Sequence, residues 1–169
     1  MRESNQTTCV VKSTETSIIE QAYSSCKMNI QYAIENVDLK GLGIICKQVV
    51  KKGTVVYDLI KDNSVIIVKD SELNAYLKTV DAVEVLSHGF CFEDHFVDLM
   101  YSDERFTNHS FDANVQWNTE ELKSFAVRDI LPGEEITENY GEYNLPLNYD
   151  LAVKRILGES FLEHSKNWV

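Results

Sequence analysis

The sequence predicts an α+β domain that is mostly β. Three observations predict it. Short β-branched runs recur along the chain, separated by Gly- and Pro-bearing turns. One internal stretch, 71–87, changes to apolar residues every three or four positions. A long helical pattern occurs at the C-terminal end, from Asn148. At 169 residues the chain is long enough to bury a core of its own.

The elements follow in order. Residues 1–28 are polar and rich in Ser and Thr, and read as a loosely ordered arm with a short helix around Ser17 to Tyr23. Strands are expected over 31–37, 44–50, 54–60 and 64–68, with turns at Lys40-Gly41-Leu42-Gly43 and Lys52-Gly53. Leu73, Leu77, Val80, Val83 and Leu86 mark a helical face, broken near Thr79 into two short helices. Strands return at 90–92, 95–99, 113–117 and 124–130. Asn118 to Glu121 forms a hairpin turn, and Leu131-Pro132-Gly133-Glu134 a turn that Pro pre-sets. Asn148 is expected to cap the last helix, with Leu151, Ile156, Leu157, Phe161 and Leu162 on its apolar face and Gly158 weakening its middle. The divisions are therefore an arm (1–28), a main domain (29–145) and a C-terminal helix packed on it (146–169).

Composition narrows the function. The formal net charge of −11 argues against nucleic-acid binding, which needs cations facing phosphates. Thirteen acids against three bases lie between Glu93 and Glu142. That region is either a solvated face or a field that draws a basic partner. No run of eighteen apolar residues is present, so no membrane helix is expected. The N-terminus lacks an apolar core, so no secretory signal is expected. Four widely spaced cysteines form no Cys-x-x-Cys pair, so neither a locally built zinc site nor any other metal is expected. Free thiols suit a reducing nuclear or cytoplasmic compartment.

Two segments carry the chemistry. The first is Arg105-Phe106-Thr107-Asn108-His109-Ser110 with Asn114 four residues on; the second is Gly133-Glu134-Glu135-Ile136-Thr137-Glu138-Asn139-Tyr140-Gly141. Together with Gly41-Leu42-Gly43, their order and spacing resemble the motifs of SET-domain protein lysine methyltransferases over roughly residues 30 to 143. The resemblance implies several small twisted sheets with a pseudoknot, in which the Asn-His-Ser segment threads a loop near Tyr-Gly. It implies S-adenosyl-L-methionine as cofactor, and methyl transfer to the side-chain amine of a lysine in a basic protein such as a histone tail.

Residue by residue, the resemblance makes Tyr140 the catalytic group, its hydroxyl beside the methyl and the amine. Gly41, Leu42, Gly43, Arg105, Asn108, His109 and Tyr140 become the cofactor site. Arg105 reads equally as a partner for the cofactor carboxylate or for a nearby acid. Trp117, Tyr143 and Tyr57 are candidates for the amine channel, because aromatic faces attract cations. For Trp117 core packing is the competing reading. Cys91, near His95 in sequence, reads as a structural thiol rather than a nucleophile.

Three departures from the pattern stand out: Ala113 where Pro is usual, Asn139 where Asp is usual, and Glu138 where an aromatic is usual. Glu138 either neutralises a cationic substrate or points outward. The cysteine-rich segment that follows many relatives is also missing, which leaves the C-terminal helix, with Phe161 and Trp168, to cover the pocket. The alternative is a SET-like domain that serves as an interaction module or acts on a small amine.

Overall fold

The computed structural model describes residues 28–143 and 145–158. The expected arm, apart from Met28, lies outside them, as do Cys9, Cys26, Phe161, Leu162 and Trp168. The described chain is an α+β assembly of two sheets and three helices.

β1 (Tyr32–Val37) and β2 (Gly41–Cys46) form an antiparallel hairpin. Its turn is closed by Lys40 N donating to Val37 O at 3.1 Å. The expected turn at 40–43 therefore sits earlier, and Gly41-Leu42-Gly43 belongs to the strand. β2 ends at Cys46 rather than running to residue 50. Lys47 N turns to Gln31 O, and Val50 makes only an isolated bridge with Ile130. β3 (Val55–Asp58) runs into a 3-10 turn, Leu59–Lys61. β4 (Ile66–Lys69), β5 (Phe90–Phe92) and β6 (His95–Asp98) make a three-stranded sheet in the order β4-β6-β5.

The helical stretch splits as its break predicts, into α1 (Leu73–Tyr76) and α2 (Ala82–His88). Asp81 caps α2 by accepting from the Val83 and Glu84 N–H groups. A 3-10 turn, Asp103–Phe106, leads into β7 (Asn108–His109). β8 (Val115–Asn118), β9 (Lys123–Ala126) and β10 (Glu135–Glu138) complete a seven-stranded sheet, ordered β1-β2-β10-β8-β9-β3 with β7 also on β10.

β10 is the hub. It runs antiparallel to β2 and parallel to both β7 and β8. The pair with β7 brings segments some thirty residues apart into one layer (Thr137 opposite Asn108, Glu138 opposite His109). Asn114, 2% exposed, fastens the junction. Its amide donates to Glu135 O at 2.7 Å and accepts from Thr137 N at 3.0 Å, filling the place of a strand neighbour.

The last helix, α3 (Leu147–Leu157), corrects two expectations. Asn148 is inside the helix and is not its cap. Asp70 caps it from a distance, accepting from Asn148 N at 3.1 Å, Asn148 Nδ2 at 2.9 Å and Tyr149 N at 3.0 Å. The buried face is Tyr149, Ala152 and Val153, while Leu151 and Leu157 are exposed. Gly158, at φ 91°, stops the helix in the left-handed region that a side chain disfavours.

The core has two parts. One joins the two sheets, with Ile44, Val56, Val115 and Ile136 from the large sheet and Phe90, Phe92 and Val97 from the small one. The other joins α1, α2 and α3 through Leu73, Leu86, Phe96, Tyr149 and Val153.

Candidate active site

The Asp103–Phe106 turn is capped by Ser102, whose hydroxyl accepts from Glu104 N at 3.2 Å. The turn buries Glu104, leaves Arg105 on a cavity wall and delivers Thr107 to the end of β7. The Tyr140 hydroxyl donates to the Thr107 carbonyl. The Tyr140 backbone N–H donates to His109 Nδ1 at 3.1 Å, and the two rings lie 5.5 Å apart. The phenol of one motif and the imidazole of the other are thus in contact.

That bond also sets the state of the imidazole. Burial, then the Lys40 charge, hold the His109 pKa below its ordinary value, so the ring is neutral at pH 7. With Nδ1 accepting, the proton sits on Nε2. Tyr140 is pushed the other way. Burial and the negative charges of Glu138, Glu104 and Glu135 raise its pKa, so the phenol stays protonated.

Asn108 ties in the glycine segment. Its Nδ2 donates to Leu42 O at 3.1 Å and to Glu135 Oε1 at 2.7 Å. A Cβ on Gly43 would lie 2.9 Å from that nitrogen and 2.7 Å from Val37 Cγ2, so only glycine fits. Gly41, at φ 83°, faces open space, and Leu42 is half exposed. Gly41, Leu42, Gly43, Asn108 and His109 therefore form one seam where β2, β7 and β10 meet.

A cavity of about 320 Å³ opens beside Tyr140. Phe90, Leu99, Glu104, Arg105, Thr107, Glu138, Tyr143 and residues of α2 and α3 line it. α3 thus forms part of its wall through Tyr149, Val153 and Leu157. A second cavity of about 280 Å³ is lined by Gln116, Trp117, Thr119, Asn139 and Glu142, and Glu138 and Tyr143 border both. The Tyr143 hydroxyl donates to Glu138 Oε2. Phe90 packs against Trp117 at 5.0 Å and Tyr143 at 5.3 Å.

The chain matches the family model for the SET domain over residues 41–141, more than half of its length. The chain belongs to the SET-domain family. SET domains are in general protein lysine methyltransferases, and those methyltransferases typically use S-adenosylmethionine. No curated protein matches the chain.

Within the SET domain, several sequence-predicted residues come together and others do not. Tyr140, Arg105 and Tyr143 share the large cavity, and Trp117 borders the smaller one while packing on Phe90. Arg105 pairs with no acid among the described residues. Its Nη1 donates to Met100 O at 2.7 Å and its guanidinium lies 4.5 Å over the Phe106 ring. Tyr57 departs from the channel expectation. It is 3% exposed, donates to Asp62 at 2.9 Å and lines neither cavity. Its position in β3 points it into the core, where Asp62 also accepts from Ser102 Oγ at 2.6 Å.

The departures are explained locally. Asn139 accepts from Gly141 N at 3.1 Å, a capping role an Asp would also fill. The loop holding Ala113 is anchored at both ends, by Ser110 N on Glu138 O and by Asn114. Glu138 points inward and is 2% exposed. Cys91 is buried, and burial raises its thiol pKa, as suits a structural residue. Glu104, Thr107 and Phe90 are the site residues the motifs did not single out. Asp103-Glu104 reads as an ordinary solvated acid pair, and only the capped turn buries the second member.

Among the described residues no helix is long and apolar enough to cross a membrane.

Proposed function

We propose that this SET domain transfers a methyl group from S-adenosyl-L-methionine to the side-chain amine of a lysine in a basic protein, a histone tail among them. The observation that carries this reading is the contact of Tyr140 with Thr107 and His109 at the wall of the larger cavity. When bound, the cofactor supplies a sulfonium methyl for in-line displacement by nitrogen.

The residues suit such a group. Gly41 leaves backbone open to approach, and Asn108 spends its donor end on Leu42 O and Glu135, so the acceptor oxygen is not used in those bonds. Gly41, Leu42, Gly43, Asn108 and His109 would hold the cofactor. Tyr140 remains protonated and fixed to the Thr107 carbonyl, so it orients groups beside it rather than abstracting a proton. The apolar wall from Phe90, Leu99 and Tyr149 excludes water, which favours the neutral amine that must attack. The net charge of −11 favours a cationic substrate. The intracellular setting, nuclear or cytoplasmic, follows from such a partner.

The test is transfer of labelled methyl to histones or to proteins of a cell extract. Tyr140→Phe should lower the rate by about 10²-fold or more while thermal unfolding is unchanged. Full activity in that variant would remove the assigned role. A second reading, a non-methylating interaction domain, draws on Glu138 standing where an aromatic is usual. Calorimetric titration with S-adenosylmethionine separates the two, since an interaction module has no need to bind it.

A further inference from the structure

We propose that Glu104 and Glu138 form a buried carboxyl pair in the large cavity that binds the substrate's ammonium group and accepts a proton from it. The ligand class of this cavity is then a primary amine on an alkyl chain. The proposal rests on the methyltransferase reading above and adds a proton acceptor to it.

The two acids come from different elements and are 6% and 2% exposed. Both line the cavity. Oε2 of Glu104 and Oε1 of Glu138 are buried without a hydrogen bond. Burying a carboxylate oxygen without a partner is costly, and a cationic ligand removes that cost. Arg105 lines the same cavity, but its guanidinium is turned to Met100 O and the Phe106 ring. His88 also lines the cavity, with its Nδ1 2.9 Å from Glu84 O, and no lysine among the described residues does. Tyr143 donates to Glu138, the neutral His109 pairs beside it on β7, and the Ser124 and Thr107 hydroxyls lie beside Glu138 and Glu104 respectively, where they favour the ionised forms. Glu142 and Asp62 add negative charge. Leu86, Leu99, Leu145 and Val153 offer an apolar sleeve, and the Phe90 and Tyr149 rings suit an alkylammonium.

In the proton step an N–H bond of the ammonium breaks and an O–H bond forms on Glu138. The products are a neutral amine and a neutral acid, so two opposite charges vanish inside the cavity. The carboxyl returns its proton to solvent once product leaves. Burial raises both pKa values, with the Glu138 charge next in importance for Glu104; Glu138 rises to about 7. A base near the working pH is better matched to the task than an ordinary glutamate.

The experiment titrates the full chain with n-butylammonium chloride by calorimetry between pH 6 and 8.5, with 1-pentanol as the neutral control. Wild-type protein should bind the ammonium more tightly at pH 8 than at pH 6, because the carboxylate must be ionised. Glu138→Gln and Glu104→Gln should each weaken it at least tenfold and leave 1-pentanol unaffected. The methyl-transfer pH profile of Glu138→Gln should shift to higher pH through kcat. Equal ammonium binding by wild type at both pH values overturns the proposal, even if neither variant folds. So does either variant binding the ammonium as wild type does. Methyl transfer in Glu138→Gln with an unchanged profile overturns it while sparing the methyltransferase reading. Glu138-dependent amine binding without any methyl transfer does the reverse.

Discussion

The Asp70 carboxylate accepts from the Tyr149 backbone N–H at 3.0 Å, so a residue following β4 caps a helix that begins far along the chain. The first turn of α3 has orphan donors that its own sequence does not satisfy, since Pro146 stands at the cap position and makes no side-chain cap bond. Asp70→Ala should therefore cost about 1–2 kcal/mol. For a chain of this size each kcal/mol lowers Tm by about 2–4 °C. Thermal unfolding measures it, and an unchanged Tm would mean α3 is held by packing alone.

Asn114→Ala should be more damaging. It removes both the donor to Glu135 O and the acceptor for Thr137 N in a site that is 2% exposed. Two buried backbone groups left unpaired cost about 2–4 kcal/mol together. Asn114→Asp keeps the acceptor and loses the donor, so it should remain destabilised in urea titration.

Glycine substitutions should separate space from backbone strain. A Cβ on Gly89 would strike the Phe96 ring and sit 2.6 Å from Val97 O, although its φ of −90° is ordinary. Gly89→Ala should cost about 3 kcal/mol. A Cβ on Gly158 meets nothing within 4 Å, and only its φ of 91° resists. Gly158→Ala should cost about 1 kcal/mol. Comparable losses in the two variants would contradict the packing around Gly89.

Glu138 should make stability depend on pH. Burial lifts its pKa from 4.5 to about 7, so the folded chain holds this proton more tightly than the unfolded one. Its contribution to stability is complete below pH 4.5 and is lost as pH rises through about 7. Glu138→Gln should then be more stable than wild type at pH 8, by on the order of 3 kcal/mol, and the gain should disappear near pH 4.5. Chemical denaturation at the two pH values reads it directly.

Much of this was legible in the sequence because the signals are local. The turn residues, the β-branched runs and the change of period at Ser71 place most elements. The Asn-His-Ser and Tyr-Gly segments mark the contact that the structure makes between Tyr140 and His109. What was hidden depends on distant partners. Asp70 reads as a loop acid until α3 arrives beside it. Glu104 reads as solvated until Ser102 turns it inward. Leu151 looked like core because it is leucine, yet the tighter face of Ala152 and Val153 packs instead. Tyr57 looked available for a channel, but Asp62 holds it in the interior.

β10 loads a separate duty onto nearly every residue: Glu135 holds Asn108, Ile136 fills the core, Thr137 meets Asn114, and Glu138 faces the cavity just before Tyr140. Side chains alternate along a strand, so inserting or deleting one residue there would exchange the inner and outer sets together. Descendants of this protein can change what they accept by swapping side chains in that stretch, but they cannot do so by changing its length.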